Sequence, residues 1–289
     1  MNKVLDLVKK LATQLEPVSG SNAQQEIWWM LEKITSKSKS QLLTQKTIDL
    51  SSAQSETLEQ WLAQRVQEHK PLQYILGSVL FSGLEILVRP PILIPRPETE
   101  EMVEWVMKTF NRAFPSATPL KILDLCTGSG CIALALAHTF PNAQVVGIDI
   151  DPQAIALAQE NKEHNHISNV TFIQSDLYQA LKPEEKFDLI IANPPYISPQ
   201  EYEALDVSVK NWEDRQALVA GQEGLAVYFA ILEKASVYLK PRPQQVQIIM
   251  ELGTSSEPIK QYAHRLGYLS VAIHHDMSGK PRWIAISIK

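Results

Sequence analysis

Apolar residues recur at helical spacing through residues 1–80. Leu5, Val8, Leu11 and Leu15 fall on one face of a first helix, and Ile27, Leu31 and Ile34 repeat the pattern in a second. A third helix opens at Ser51-Ser52-Ala53-Gln54 and carries Leu58, Trp61, Leu62 and Val66 on its apolar side. Ser19-Gly20, residues 36–40 and Ile48-Asp49-Leu50-Ser51 punctuate these runs. The pattern predicts a compact helical bundle that binds or positions something and has no chemistry of its own. Trp28 and Trp29 are assigned to its packing rather than to a recognition surface.

The spacing changes after Ser78. Val79-Leu80-Phe81 and Leu84–Val88 read as short extended runs, and a proline-rich stretch from Pro90 to Pro97 follows. This predicts a β-hairpin connector over residues 81–97. Pro97-Glu98-Thr99-Glu100-Glu101 then starts a helix, with proline in the first turn and acids where the macrodipole favours them. Beyond residue 118, strand and helix patterns alternate. Strands are expected at Lys121–Leu125, Ala143–Ile150, Val170–Gln174, Phe187–Ala192 and Val246–Leu252. Helices are expected at Cys131–Thr139, Pro152–Glu163, Gly224–Leu239 and Glu257–Leu266. Leu269–His275 and Trp283–Ile288 flank Ser278-Gly279 as a terminal hairpin. Repeated βα units force a mostly parallel sheet covered on both faces, over residues 98–289. In such α/β sheets the ligand sits beyond the carboxyl ends of the strands.

Composition narrows the class. The 289 residues are 45% hydrophobic, enough for one sizeable core and a smaller one. A net charge of −5 leaves none of the bulk basic excess that dedicated nucleic-acid binders carry. Two cysteines, Cys126 and Cys131, cannot build a disulfide framework and lack a zinc-type partner set. The histidines also lack ligand spacing, so no metal is expected. No apolar run has the ~20 residues that span a bilayer. The opening Met1–Lys10 alternates charge and apolar residues without a cleavage site, so no signal peptide and a cytoplasmic location are expected.

Chemistry is concentrated at the predicted strand ends. The first strand runs into Asp124-Leu125-Cys126-Thr127-Gly128-Ser129-Gly130, a loop whose glycines allow a tight turn and close ligand approach. Gly128-x-Gly130-x-x-Ala133 also fits a dinucleotide fingerprint, which keeps a nicotinamide dehydrogenase as a rival. Asp124 argues against that rival. A carboxylate there would repel a pyrophosphate, yet would suit a ligand bearing an ammonium and a sulfonium, as S-adenosylmethionine does. The second strand ends at Asp149, where an acid can accept from both ribose hydroxyls. Asp151 next to it reads as a helix cap. Asp176 and Leu177 end the third strand, where an adenine ring would find an acceptor and an apolar face.

Asn193-Pro194-Pro195-Tyr196 ends the fourth strand. An amide or aromatic amine attacks poorly because its lone pair is delocalised. If the Asn193 side-chain oxygen and the Pro194 carbonyl hold its two hydrogens, the nitrogen can pyramidalise toward a methyl donor. The same acceptors stabilise the positive charge that develops. Tyr196 can stack on the planar group, and in-line displacement then needs only orientation.

With these residues assembled, the chain resembles the class I S-adenosylmethionine-dependent methyltransferases, and more narrowly the release factor glutamine methyltransferases of the PrmC/HemK family. Ile94-Pro95-Arg96-Pro97-Glu98-Thr99-Glu100, Pro71-Leu72-Gln73-Tyr74-Ile75-Leu76-Gly77, the glycine loop and Asn193-Pro194-Pro195-Tyr196 carry the resemblance. It implies a Rossmann-like seven-stranded sheet with a small N-terminal helical-bundle domain for substrate recognition. It further implies methylation of the side-chain amide nitrogen of the glutamine in the Gly-Gly-Gln motif of class I peptide chain release factors. By position, Cys126, Thr127, Gly128, Ser129, Gly130, Asp149, Asp176, Leu177 and Asn193 would contact the cofactor. Asn193, Pro194, Pro195 and Tyr196 would hold the glutamine, with Asn193, Pro194 and Tyr196 catalytic. No stable nucleic-acid or membrane partner is implied.

The Asn-Pro-Pro-Tyr turn also occurs in enzymes that methylate adenine N6 or guanine N2, so a nucleic-acid amine methyltransferase is the alternative. A non-catalytic binding module is the third reading. Two departures from the family pattern are Cys126, where glycine is usual, and Asp214, where proline is common. The segment Ser198–Gln222 carries Glu201, Glu203, Asp206, Glu213 and Asp214. It either lines the approach of a protein substrate or forms a solvated acidic loop. Arg96 meets substrate or cofactor, or marks the junction between domains.

Overall fold

The computed structural model describes every residue except 1, 115–117, 243–244, 254–255, 277 and 289, so Met1 of the amphipathic opening lies outside the described residues. Two compact units emerge. The first comprises residues up to Ser78 together with Asp206–Trp212, and the second comprises Val79–Leu205 and Glu213 onward.

The first unit is helical. Strand β1 (Asn2–Lys3) leads into α1 (Val4–Ser19), followed by α2 (Ala23–Thr35) and α3 (Lys39–Gln45). Strand β2 (Thr47–Ile48) pairs antiparallel with β1, and α4 (Ser52–Gln67) and α5 (Leu72–Leu76) complete the run. The serines that punctuate the sequence are caps. Ser38 and Ser51 each accept from the backbone N–H three residues on, and Gln41 and Gln54 return the bond as capping boxes. Val4, Val8, Leu11 and Leu15 of α1 are buried against Ile27, Leu31, Leu58 and Leu62. Leu5 is 54% exposed, so the apolar face of α1 runs through Val4 instead. Trp28 is buried, whereas Trp29 is 46% exposed and does not share the packing role expected of both. Glu26, also buried, is neutralised by Arg65 at 2.8 Å.

The second unit opens with the two-stranded sheet β3 (Ser78–Phe81) and β4 (Leu84–Leu87). Helix α6 (Pro97–Ala113) follows, with proline in its first turn as predicted. The alternation then runs β5 (Lys121–Leu125), α7 (Cys131–Thr139), β6 (Gln144–Asp149), α8 (Pro152–His164), β7 (Val170–Gln174) and β8 (Leu189–Ala192). Short helices α9 (Pro199–Glu203), α10 (Val207–Trp212), α11 (Arg215–Leu218) and α12 (Gly221–Gly224) fill the insertion, of which α10 belongs to the first unit. Then come α13 (Ala226–Tyr238), β9 (Val246–Glu251), α14 (Glu257–Arg265), β10 (Ser270–His275) and β11 (Pro281–Ser287).

The seven strands lie in the order β10-β11-β9-β8-β5-β6-β7. Five are parallel, from β9 through β7, and β11 and β10 add antiparallel at one edge. Chain order reverses at β5: β6 and β7 extend to one side, β8 and β9 to the other. The carboxyl ends of β5 and β8 are therefore neighbours, and the crevice for a ligand falls beside them. Buried side chains on both faces of β5 and β8 explain why these strands read as continuous apolar runs.

Candidate active site

The loop after β5 is shaped by a buried carboxylate. Asp124 is fully buried; its Oδ2 accepts from the Thr127 hydroxyl at 2.5 Å and from the Ala133 N–H at 3.2 Å. Burial pushes its carboxyl up to about 7, tempered by the Thr127 bond. Asp124 does not line the cavity described below; its Oδ2 holds the loop, while its Oδ1 is buried without a hydrogen-bond partner among the described residues. Cys126 takes a left-handed φ of 60°, a conformation that costs a side-chain-bearing residue ~1–2 kcal/mol. This is the position where the family pattern has glycine, and the loop keeps its turn despite the cysteine. Gly130 (φ 82°) tolerates no side chain: a Cβ would lie 2.9 Å from the Phe172 ring.

Asp149 ends β6 beside that loop. Its Oδ2 accepts from the Gly128 N–H at 2.8 Å and its Oδ1 from the Asp151 N–H at 3.0 Å. The pKa is raised by burial and lowered in part by these backbone donors. Asp151 accepts from the Gln153 N–H at 2.8 Å, the helix cap expected of it. Asn161 of α8, wholly buried, donates to the carbonyls of Ser129 and Leu87, both at 3.0 Å, and so ties the loop to β4.

A cavity of about 460 Å³ opens at these strand ends, a volume within the usual range for a small-molecule site. Cys126, Gly128, Asp149, Asp176, Leu177, Asn193 and Pro195 line it. Of the remaining candidates, Thr127, Ser129 and Gly130 are buried in the loop behind it. Pro194 and Tyr196 lie outside the lining. Ile92, Ile150 and Ala217 add apolar wall that sequence patterns did not single out. Ile150, 46% exposed directly after a strand-end acid, was the one with a visible signal.

The Asn193-Pro194-Pro195-Tyr196 turn is braced from two sides. A Cβ at Gly253 would sit 2.7 Å from the Tyr196 ring, and one at Gly224 would overlap the Tyr196 carbonyl. The side-chain nitrogen of Asn193 donates to the Thr99 hydroxyl at 3.1 Å, and that hydroxyl donates to Glu251 Oε2 at 2.5 Å. Thr99 and Glu251 are both buried. Sequence reading gave neither a role, although a glutamate closing a buried apolar strand was a signal.

The insertion is anchored at its returning end. Glu213 is buried, and its carboxylate takes both bonds from one Arg96 nitrogen, at 2.6 and 2.7 Å. The Asp214 N–H donates to the Pro91 carbonyl at 2.8 Å, a bond that a proline at 214 could not make. Asp214 also caps α11 by accepting from the Gln216 N–H at 2.9 Å. Among the described residues no cluster of His, Cys, Asp or Glu could hold a metal ion, and no helix is long and apolar enough to cross a membrane.

Residues 6–77 match the PrmC N-terminal domain family and residues 103–215 the Methyltransferase small domain family. A release factor glutamine methyltransferase of Thermodesulfovibrio yellowstonii is 36% identical over 98% of this chain and 95% of its own. One from Coxiella burnetii is 32% identical over 98% of each. The chain belongs to the release factor glutamine methyltransferase family. Among solved structures, a human Mettl16 catalytic domain in complex with an RNA hairpin shares the fold at TM-score 0.56 and 17% identity, over 84% of each chain. The N-terminal domain of human METTL16 in complex with SAH does so at TM-score 0.52 and 18% identity, over 85% of this chain and 86% of that one.

Proposed function

We propose that this protein transfers a methyl group from S-adenosylmethionine to the side-chain amide nitrogen of the glutamine in the Gly-Gly-Gln motif of class I release factors. Family membership over nearly the whole chain supports the reaction. The single structural observation that carries it is the Asn193-Pro194-Pro195-Tyr196 turn, which brings Asn193 and Pro195 into the cavity lining with the Asn193 nitrogen already engaged. S-adenosylmethionine, when bound, supplies an electrophilic methyl carbon on a sulfonium. The cavity suits such a molecule. Asp149 presents a carboxylate whose backbone bonds leave lone pairs for ribose hydroxyls, and Leu177 and Ile150 offer apolar faces beside the Asp176 acceptor.

At the acceptor, Asn193 Oδ1 and the Pro194 carbonyl hold the two amide hydrogens of the glutamine. This restrains the nitrogen, draws its lone pair out of conjugation and stabilises the charge that develops. Tyr196 packs on the planar amide. Its hydroxyl, pushed up by burial and then by Glu251, stays neutral and takes no part as a base; the proton, strongly acidic once the nitrogen carries the methyl, passes to solvent. The helical unit serves recognition of the protein substrate, and the reaction belongs to the cytoplasm, where translation factors are found.

The deciding experiment incubates the protein with tritiated S-adenosylmethionine and either a purified release factor, DNA or RNA. Label is expected on the release factor glutamine, and Asn193→Ala is expected to lose roughly 10²-fold in turnover. Label on nucleic acid alone would overturn the assignment, and full activity of Asn193→Ala would overturn the clamp.

A further inference from the structure

Asn193 is useful as an acceptor only if its amide is the right way round. Oxygen and nitrogen of a side-chain amide have nearly the same shape, so packing alone does not choose between the two orientations. The neighbouring hydrogen bonds do choose. The Thr99 hydroxyl has one proton and lies 2.5 Å from Glu251 Oε2, a distance typical of a hydroxyl donating to a carboxylate. While Glu251 is ionised that proton is committed, the Thr99 oxygen has only lone pairs left for Asn193, and the group 3.1 Å away is the amide nitrogen. Asn193 Oδ1 accepts no hydrogen bond among the described residues and remains available at the cavity rim.

We infer that Thr99 and Glu251 are positioning residues: a buried carboxylate–hydroxyl chain that locks the Asn193 amide with its oxygen toward the acceptor nitrogen. The inference rests on the clamp role of Asn193 proposed above and adds what sets the clamp's polarity. The direction of the chain depends on the charge of Glu251. A protonated Glu251 can donate to Thr99, which frees the Thr99 proton for Asn193 Oδ1. The amide is then held the wrong way, with its N–H groups toward a substrate nitrogen that must itself donate.

Glu251 is poised for such a change. Burial pushes its carboxyl up to about 7, against the Thr99 bond. Glu98 of α6 raises it further, while Arg282 of β11 and Arg96 at the start of α6 pull it down. Tyr196 and Cys131 also feel its charge, and the Tyr228 hydroxyl of α13 is bonded to its backbone carbonyl at 2.7 Å. Two carboxyls at the cofactor side, Asp124 and Asp149, are raised as well, so an acid limb alone would not identify Glu251. A substitution at 251 does.

The test uses the full-length protein, a purified release factor and saturating S-adenosylmethionine. Thr99→Val keeps the shape and removes the hydroxyl; its kcat is expected to fall by about tenfold or more, with cofactor Kd unchanged. Thr99→Ser, which restores the hydroxyl, should recover most of that loss. Glu251→Gln keeps an acceptor for Thr99 at every pH, so the acid limb of kcat near neutrality should flatten. A measurement independent of turnover is solvent exchange of the Asn193 side-chain amide protons, assigned by their disappearance in Asn193→Asp. Their protection should drop in Thr99→Val and persist in Thr99→Ser. Wild-type kcat and amide protection in a folded Thr99→Val would overturn the relay, and so would an unaltered acid limb in Glu251→Gln. If Asn193→Ala were itself fully active, the clamp would fall instead, which separates the two ideas.

Discussion

Replacing Gly253 by alanine isolates the placement of the Tyr196 ring from every other feature of the site. Gly253 lies outside the left-handed region, so alanine adopts its backbone without strain and the perturbation is the methyl group alone. That methyl would lie 2.7 Å from Tyr196 Cδ2, 3.2 Å from Cγ and 3.4 Å from Cε2. Carbon atoms rest at ~3.5–4.0 Å, so the near edge of the ring must recede by about 1 Å. The Tyr196 carbonyl is hemmed in by Gly224, which leaves the turn little freedom to retreat as a body. A misplacement of about 1 Å at a reacting centre costs up to ~10²-fold, so kcat should fall between roughly tenfold and a hundredfold. Overpacking should cost about 1–3 kcal/mol of stability, small enough to leave the protein folded. Neither Gly253 nor Tyr196 lines the cavity, so cofactor affinity should be unchanged. Single-turnover methyl transfer to a release factor, calorimetric cofactor binding and a melting curve read out the three quantities. Wild-type turnover in a folded Gly253→Ala would refute the proposed role of the ring. A parallel loss of cofactor affinity would show that the damage had spread beyond it.

Two further outcomes follow from the carboxylates. Asp149→Ala should weaken S-adenosylmethionine binding by roughly 10–100-fold, the usual worth of hydrogen bonds to a charged group, and isothermal titration with an unchanged Kd would remove it from the ribose site. Burial pushes the folded Asp124 carboxyl up to about 7 from its ordinary 3.8, so between these values the folded chain holds a proton that the unfolded chain has released. Stability should therefore rise as pH falls from 7 toward 4, by at most about 4 kcal/mol from this group at ~1.36 kcal/mol per unit. Glu251 adds a change of the same sign. Urea midpoints across that range should show a shallower slope in Asp124→Asn, and an identical slope would mean that Asp124 is ionised throughout.

The sheet was legible because its inner strands, β5 and β8 above all, are buried on both faces and its helices carry their own start signals. Pro97, Asp151, Ser38 and Ser51 each stand where a first turn or cap requires that residue type. The motif loops were legible for the same local reason. What escaped was every relationship made across the chain. Thr99 and Glu251 are 152 positions apart, and Asn161 reaches β4 across 74. No local pattern encodes such pairs. Arg96 was left open between ligand and junction, and its partner Glu213 lies 117 residues away, in a segment that read equally well as a solvated loop. Leu5 and Trp29 failed for a different reason. A helical apolar stripe is wider than the face that packs, and position alone did not show which edge would face water.

One functional group, a buried carboxyl, meets three different surroundings at this site. Asp124, Asp149 and Glu251 are all carboxyls raised by burial, within one sheet and at the same strand ends. Asp124 has a hydroxyl and an N–H on one oxygen, which organises the loop, and its other oxygen is buried without a partner among the described residues. Asp149 has a backbone donor on each oxygen and an open edge, so it is fixed in place and still able to accept from a ligand. Glu251 has a single hydroxyl between itself and Asn193, so its charge is transmitted as an orientation rather than as a contact. These three environments, one closed, one open and one relayed, are the basis of the roles proposed above.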